Sequence, residues 1–333
     1  MKPKLAIEIG TSYTKIFKSR QDVVLSEPTL IAISKNNYKK PVAVGFEAEK
    51  LLGKVNNDKV RVIRPVNNTT IVDYKALCAM LNAFLNKIKS KGELTPNVIL
   101  TVGCGSDRKI MGNFETALNK VGLYNISFAE APVLALLGAD APLTDNSCHA
   151  VIDMGAGQTT VCVLNLSGVI SGLSAEIGGN TLNKMIIKHL ETDLNLTITD
   201  NEAENLKRSV ASLVSDDDNK TVVQGKQTSS GKPRSLNVSA SQILKPTEEF
   251  AKKTAEIVNM VLSKLNADCI KEITKNGIYL TGGGSKLYGI DDFFTKALGF
   301  KTNLVPDPEL SIILGAGKLI SNKELLNKLK LRS

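Results

Sequence analysis

The chain has 333 residues, enough for two domains that each bury a core of their own. Hydrophobic residues make up 42% of it and charged residues 23%, which excludes a disordered or fibrous chain. The net charge of +9 comes from lysines spread along the whole sequence, so a solvated basic surface is a simpler reading than a nucleic-acid stripe, and no specific nucleic-acid binding is expected.

In chain order, strand-like runs alternate with helical patterns, the signature of an α/β architecture. Leu5–Ile9 and Lys15–Lys18 read as a hairpin about Gly10, and Thr29–Ser34 pairs with Pro41–Gly45 across the polar turn KNNYKK. Leu77, Leu81, Phe84, Leu85 and Ile88 recur at helical spacing between Asp73 and Ile88. A strand at Val98–Val102 follows, then a helix capped by Ser106 with Ile110, Phe114, Leu118 and Val121 on one face. After the loop Pro142–Ser147 come strands at Ala150–Asp153, Thr159–Asn165 and Val169–Leu173. Next is a helix capped by Asn180 that carries Leu182, Met185, Ile186 and Leu190. Glu202–Leu213 is helical, SDDDNK is a loop, and TVVQGKQTSSGKPRSLNVS is an exposed hairpin. Pro246 breaks or starts a helix running from Thr247 to Leu265, and GIYLTGGGSKLYG is strand, glycine turn and helix start.

This order predicts an internal duplication. Domain 1–145 would carry an insertion at about 33–66, and domain 146–333 one at about 181–242.

Five scattered cysteines, Cys78, Cys104, Cys148, Cys162 and Cys269, form no CxxC pair, and there are only two histidines, His149 and His189. No zinc-ligand pattern results, and the thiols read as reduced core residues of a cytosolic protein. MKPKLAIEIG enters a strand with no signal-peptide pattern, and no apolar run approaches the roughly 20 residues that span a bilayer. A cytoplasmic location is the expectation.

Two stretches share one grammar. LAIEIGTSYTK and VIDMGAGQTT each run from apolar strand through an acid to glycine and then hydroxyl or polar residues, with Glu8 and Asp153 about 145 positions apart. Glycine turns after strands aim backbone N–H groups at phosphate, and an acid at the strand end holds Mg²⁺ through its water shell. One such turn is usually plain structure; two, one per half, suggest a clamp on one polyphosphate. A third loop, Gly282–Gly283–Gly284, would let backbone approach a purine or ribose. Neither GxxxxGK[ST] nor GxGxxG after a strand occurs, which removes the P-loop and Rossmann readings.

The ordered segments IEIGTSYT, SEPTLIAI, VAVGFEAEKLLGK, VRVIRPVNNTTIVDY, EAPVLALLGADAPL, VIDMGAGQTTVCVL, EIGGNTLNKMI, AENLKRSVAS, GIYLTGGGSKLYGIDDF and PDPELSIILGAGK resemble the MreB-like bacterial actins from about Leu5 to Ile320. The resemblance implies an actin-like fold of two duplicated sheet-based domains in four subdomains around a nucleotide cleft. It implies ATP and Mg²⁺ as cofactors and assembly of the chain with itself into paired protofilaments, for cell shape or intracellular organisation. Carried over by position, Gly10, Thr11, Ser12 and Tyr13 form the first phosphate loop, and Gly155, Ala156, Gly157 and Thr159 the second, with Gly179 beside them. Glu204, Asn205, Leu206 and Lys207 match the ribose and adenine segment. Gly282, Gly283, Gly284, Ser285 and Lys286 match the adenosine turn, and Glu8 and Asp153 the metal positions. Without the resemblance, Glu204 and Lys207 read as a surface i,i+3 ion pair.

Departures from the family pattern carry information. Glu8 stands where the family has Asp, and the extra methylene should disturb water-mediated metal coordination. Ala131 stands where the family has the Glu that positions attacking water; general-base help is typically worth about 10²–10⁴ in rate, so slow ATP hydrolysis is expected. Two residues are candidates to soften that loss. Glu130 is adjacent but points elsewhere, and Gln158, at a family Thr position, is able to orient water. Asn180 replaces a family Asp and retains its capping chemistry.

The family's membrane-binding segments have no apolar counterpart here, since the N-terminus is short and KSKGELTPN is polar. The basic C-terminus, with Leu325, Leu326 and Leu329 on one side, is the remaining candidate for weak membrane contact, against the simpler reading of a packed final helix. A non-polymerising regulator or chaperone on the same fold is the alternative function. A sugar or acetate kinase lacks its catalytic Asp and substrate segment here.

Overall fold

The first strand, β1 (Lys4–Ile9), turns Leu5 and Ile7 to one side of its sheet and Ala6 to the other, and both sides are buried. The computed structural model describes residues 4–34, 37–55, 59–89, 94–143, 146–329 and 331. The predicted turn at 35–40 and the loops at 89–97 and 142–147 lie partly outside these residues. The chain divides into two units, Met1–Asp145 together with Glu309–Ser333, and Asn146–Pro308.

In the first unit β2 (Tyr13–Lys18) and β3 (Asp22–Pro28) extend β1 antiparallel. The insertion β4 (Ile31–Ser34), β5 (Ala43–Val44), α1 (Phe46–Glu49) and β6 (Val60–Ile63) forms a three-stranded sheet with its own small core at Leu30, Ala32 and Ala48. A hairpin, β7 (Val66–Asn67) and β8 (Thr70–Ile71), leads to α2 (Tyr74–Ile88), where the Asp73 carboxylate accepts the Ala76 N–H at 2.9 Å. Then come β9 (Asn97–Val102), α3 (Arg108–Lys120), β10 (Asn125–Glu130) and α4 (Ala131–Gly138). The five-stranded sheet runs β10-β9-β1-β2-β3, with β9 and β10 parallel to β1. Leu77, Leu81 and Phe84 of α2 and Phe114 and Leu118 of α3 share a core with Leu5 and Ile7. The cap of α3 differs from expectation. The Ser106 hydroxyl donates back to Gly103 O, so the Asp107 carboxylate takes the Ile110 N–H at 2.7 Å.

The second unit opens with β11 (His149–Met154), β12 (Thr159–Asn165) and β13 (Gly168–Ala175), then α5 (Gly179–Asp193), β14 (Leu196–Thr197) and α6 (Asp200–Val210). The exposed hairpin is β15 (Lys220–Gln227) and β16 (Pro233–Ser239), which with β14 makes a three-stranded sheet. Helices α7 (Leu244–Leu262) and α8 (Ala267–Asn276), strand β17 (Ile278–Thr281), α9 (Ile290–Leu298) and β18 (Thr302–Leu304) complete it. Pro246 lies in the first turn of α7, where its missing N–H costs nothing. Asn180 is not the cap of α5. The helix starts after Gly178, whose extended backbone donates its N–H to Thr181 Oγ1 at 3.3 Å, while the Asn180 N–H goes to Ala156 O. Thr199 caps α6, whose first residue, Asp200, lies two residues ahead of the expected start.

The main sheet of this unit is β13-β12-β11-β17-β18, with β12 and β13 antiparallel and β17 and β18 parallel. That is the strand order and direction of the first sheet. The two sheets are topological copies.

The chain then rejoins the first unit through α10 (Ser311–Ser321) and α11 (Lys323–Leu329), which corrects the assignment of 309–333 to the second domain. Two glycines explain the docking. A Cβ on Gly138 of α4 would strike the Ser311 carbonyl, and one on Gly315 of α10 would strike the Leu134 carbonyl, so the two helix backbones touch. Ala6, Ile99, Ala129, Leu134, Ile313, Ala316, Leu319 and Ile320 fill the core beneath. Leu325, Leu326 and Leu329, the apolar side offered to lipid, are partly buried against the same core. Beyond α11, the Leu331 N–H donates to Phe128 O at the edge of β10. Among the described residues no helix is long and apolar enough to cross a membrane.

The cysteine expectation is also corrected in part. Cys148, beside β11, and Cys269, on α8, form a disulfide with Cα atoms 5.5 Å apart, while Cys78, Cys104 and Cys162 stay as thiols. Positions 121 residues apart carry no spacing signal; packing of α8 on β11 brings them together. Denatured without reductant, the chain should yield only these three as titratable thiols, and after reduction all five. Gly315→Ala is expected to cost about 1–3 kcal/mol through the forced separation of α4 and α10, read from the urea midpoint.

Candidate functional site: two matched turns and a glycine loop

Both central hairpins close in the same way. The Gly10 N–H donates to Tyr13 O at 2.9 Å, and the Gly155 N–H donates to Gln158 O at 2.9 Å. A Cβ on Gly10 would sit 2.9 Å from Tyr13 O, and one on Gly155 2.9 Å from Gln158 O, so neither turn admits a side chain at its first position. The resulting register puts Glu8 across from Lys15 and Asp153 across from Thr160.

In the first unit the turn is braced from outside. Thr29 donates its hydroxyl to Gly10 O at 2.8 Å and lies 3.0 Å from the Thr14 hydroxyl, and its N–H reaches Ser12 O. Thr11 Oγ1 accepts the Asn68 N–H at 2.8 Å, and the Tyr13 ring stands edge-on to Phe46 of the insertion. Glu8 is held by Lys15, Nζ to Oε1 2.8 Å, with both side chains about nine-tenths buried. Its other oxygen, Oε2, is buried without a hydrogen-bond partner. Sequence reasoning missed Lys15, Thr29 and Asn68. The alternation of the hairpin was the available signal for Lys15; the other two are long-range contacts.

In the second unit several predicted residues converge. Gly155 O accepts the Gly179 N–H at 3.0 Å and Ala156 O the Asn180 N–H at 2.8 Å, tying the turn to the start of α5. Gly178 passes so close that a Cβ there would lie 2.6 Å from Ala156 O. Lys207 Nζ donates to Gly179 O at 3.1 Å and to Glu204 Oε2 at 2.6 Å, and Asn183, missed in the sequence, donates Nδ2 to the same Glu204 oxygen at 2.8 Å. Glu204 and Lys207 are therefore a bridge between α5 and α6 rather than a lone surface pair. Burial pushes the Glu204 carboxyl up, but Lys207 and the Asn183 hydrogen bond outweigh it and hold the group below the ordinary carboxylate value. Burial dominates for the Lys207 ammonium and lowers it, against the pull of Glu204.

The glycine loop after β17 packs closely on the end of β11. Gly282, at φ +79°, would place a Cβ 2.7 Å from Asp153 Oδ1, and Gly284 would place one 2.8 Å from Met154 Cβ. Those two glycines let the loop pass over the end of β11; Gly283 is open around its Cβ position. Asp153 Oδ1 accepts the Thr281 hydroxyl at 3.2 Å.

Some predicted residues turn inward. Thr159 is fully buried and donates its hydroxyl to Ile177 O at 2.6 Å, Ser285 donates to Gly282 O at 2.7 Å, and Leu206 lies in the core. Asn205 and Lys286 are exposed. Gly157 and Gln158 are half-exposed on the turn. Glu130 ends β10, and its Oε1 accepts the Gly105 N–H at 2.9 Å, which ties it to the 103–105 turn, while Ala131 begins α4. Magnesium is compatible with the acids present. The partnerless Oε2 of Glu8 suits a metal-bound water, and Asp153 keeps a carboxylate at the corresponding strand end.

The family model for MreB/Mbl protein matches residues 2–328. The chain belongs to the MreB/Mbl family. Cell shape-determining protein MreB of Escherichia coli (strain K12) is 27% identical over 322 residues, covering 95% of this chain and 92% of that one. Cell shape-determining protein Mbl of Bacillus subtilis (strain 168) is 26% identical over 329 residues, with 98% of each covered. Among solved structures, MreB5 of Spiroplasma citri bound to AMPPNP superposes with a TM-score of 0.92 at 23% identity, covering 98% of both chains. The MamK double helical filament gives 0.79 at 17% identity, covering 97% of this chain and 99% of that one. The MreB/Mbl chain described here thus has an actin-like α/β fold.

Lys207→Met removes the cation that offsets Glu204 burial. The Glu204 carboxyl should then titrate at higher pH, followed by NMR. Stability should fall by about 1–2 kcal/mol, less than for a fully buried pair because the Glu204 side chain is 38% exposed.

Proposed function

We propose that this MreB/Mbl-family chain binds ATP with Mg²⁺ and assembles with itself into filaments that serve cell shape or intracellular organisation. The observation that carries the reading is the repeated turn. Two strand–turn–strand hairpins, each with an acid at the strand end and a glycine amide closing onto the fourth residue, are backbone arrangements suited to phosphate. In the second unit the Glu204–Lys207 bridge reaches Gly179, whose N–H donates to Gly155 O of the turn, and the 282–286 loop crosses Asp153 and Met154 just before it; the two suit an adenosine moiety. When bound, Mg²⁺ would supply charge neutralisation to the phosphates, with Glu8 and Asp153 as its acids. The relatives are described as cell-shape proteins, MreB5 is bound to AMPPNP and MamK forms a double helical filament; each supports the reading.

Hydrolysis is slow in this proposal. At the start of α4 the side chain is the methyl of Ala131, which neither accepts a proton nor orients water, and Glu130 is engaged with the Gly105 amide. Gln158, on the second turn, is the remaining polar side chain proposed to orient water.

Sedimentation with and without ATP and Mg²⁺, followed by negative-stain microscopy, tests assembly. Nucleotide-dependent pelleting of filaments is expected, and protein that stays in the supernatant under every condition would overturn it. Ala131→Glu should raise the rate of phosphate release by about 10²-fold or more. A fast wild type that the substitution leaves unchanged would show that position 131 is irrelevant, and Gln158→Ala would then be expected to abolish the rate.

A further inference from the structure

The two hairpins share a backbone but not an electrostatic design. In the second, the residue across from the acid is Thr160, a neutral side chain whose hydroxyl meets Ser174 Oγ at 2.9 Å. In the first it is Lys15, whose ammonium lies 2.8 Å from Glu8 Oε1, with side-chain exposures of only 10% and 12%. An ammonium and a carboxylate this far out of water are costly to separate. The first turn therefore carries its own cation.

An uncompensated carboxylate at the end of β1 would repel a polyphosphate placed on the adjoining turn, and a divalent cation would be needed to mediate. Here Lys15 cancels that charge within the protein. The extra methylene of Glu8 serves the pairing, since one oxygen goes to Lys15 and Oε2 keeps an acceptor position for a metal-bound water. Metal is accommodated without being required.

We infer that Lys15 is the built-in counter-ion of the first phosphate turn, so that ATP binding by this chain tolerates removal of magnesium. The inference rests on the nucleotide-binding reading above and goes beyond it in assigning Lys15 and Glu8 a joint role. It concerns binding, not the rate of hydrolysis.

Calorimetric titration of ATP into the full chain, in magnesium and in excess EDTA, tests it with three variants. Wild type should lose less than about tenfold in affinity on moving to EDTA, whereas Lys15→Met should lose at least about tenfold more than wild type does. The double variant Glu8→Gln with Lys15→Met, which removes both charges, should return the ratio to that of wild type. Equal ratios for wild type and Lys15→Met, or loss of wild-type binding in EDTA alone, overturn the inference and leave the nucleotide reading standing. No wild-type binding in either buffer overturns both. If thermal melts show that Lys15→Met does not fold, Glu8→Gln decides. With the ammonium kept and the carboxylate gone, it should bind ATP in EDTA at least as tightly as wild type, and weaker binding sinks the proposal.

Discussion

A four-residue turn with no room for a Cβ is the constraint on which this protein is built. At Gly10 and at Gly155 the amide closes onto the carbonyl three residues ahead, at a separation where any side chain would collide with the same oxygen. Once that turn is made, the following strand must return antiparallel in one register. The acid two residues before the glycine then has a defined cross-strand partner. The sheet order grows outward from this pair of strands, antiparallel on one side and parallel on the other, in both units.

The same backbone has been given two sets of braces. Around the first turn the braces are side chains and a distant amide, namely Thr29, Thr14 and the Asn68 N–H. Around the second they are the first amides of α5, brought close by Gly178 and supported by Lys207 beneath Gly179. The start of α5 brings backbone N–H groups to the second turn, whereas beside the first an ammonium, Lys15, is paired with the strand-end acid. The two turns share one geometry and differ in the residue across from the acid, Lys15 in one and Thr160 in the other.

The chain's return to the first unit sets the position of α4. Helix α4 is gripped by α10 through touching backbones at Gly138 and Gly315, and the small residues Ala6 and Ala129 of the sheet lie in the core below them. This fixes the start of α4, where Ala131 stands, in one place. The side chain held there is a methyl group.

Local pattern was enough for the strands, most helices and the paired loops, because glycine, alternation and helical spacing act within a few residues of one another. Sequence also placed Glu8 and Asp153 at their strand ends, Gly155 in its turn and Glu204 and Lys207 on their helix, since motif order along the chain is one-dimensional information. The destination of 309–333, the disulfide between Cys148 and Cys269, and the partial burial of Leu325, Leu326 and Leu329 were decided by tertiary packing alone. So were the inward turn of Thr159 and Ser285 and the close passage of Gly282 and Gly284 over the end of β11. Each depends on which distant backbone lies within about 3 Å, and no spacing along a chain encodes that distance.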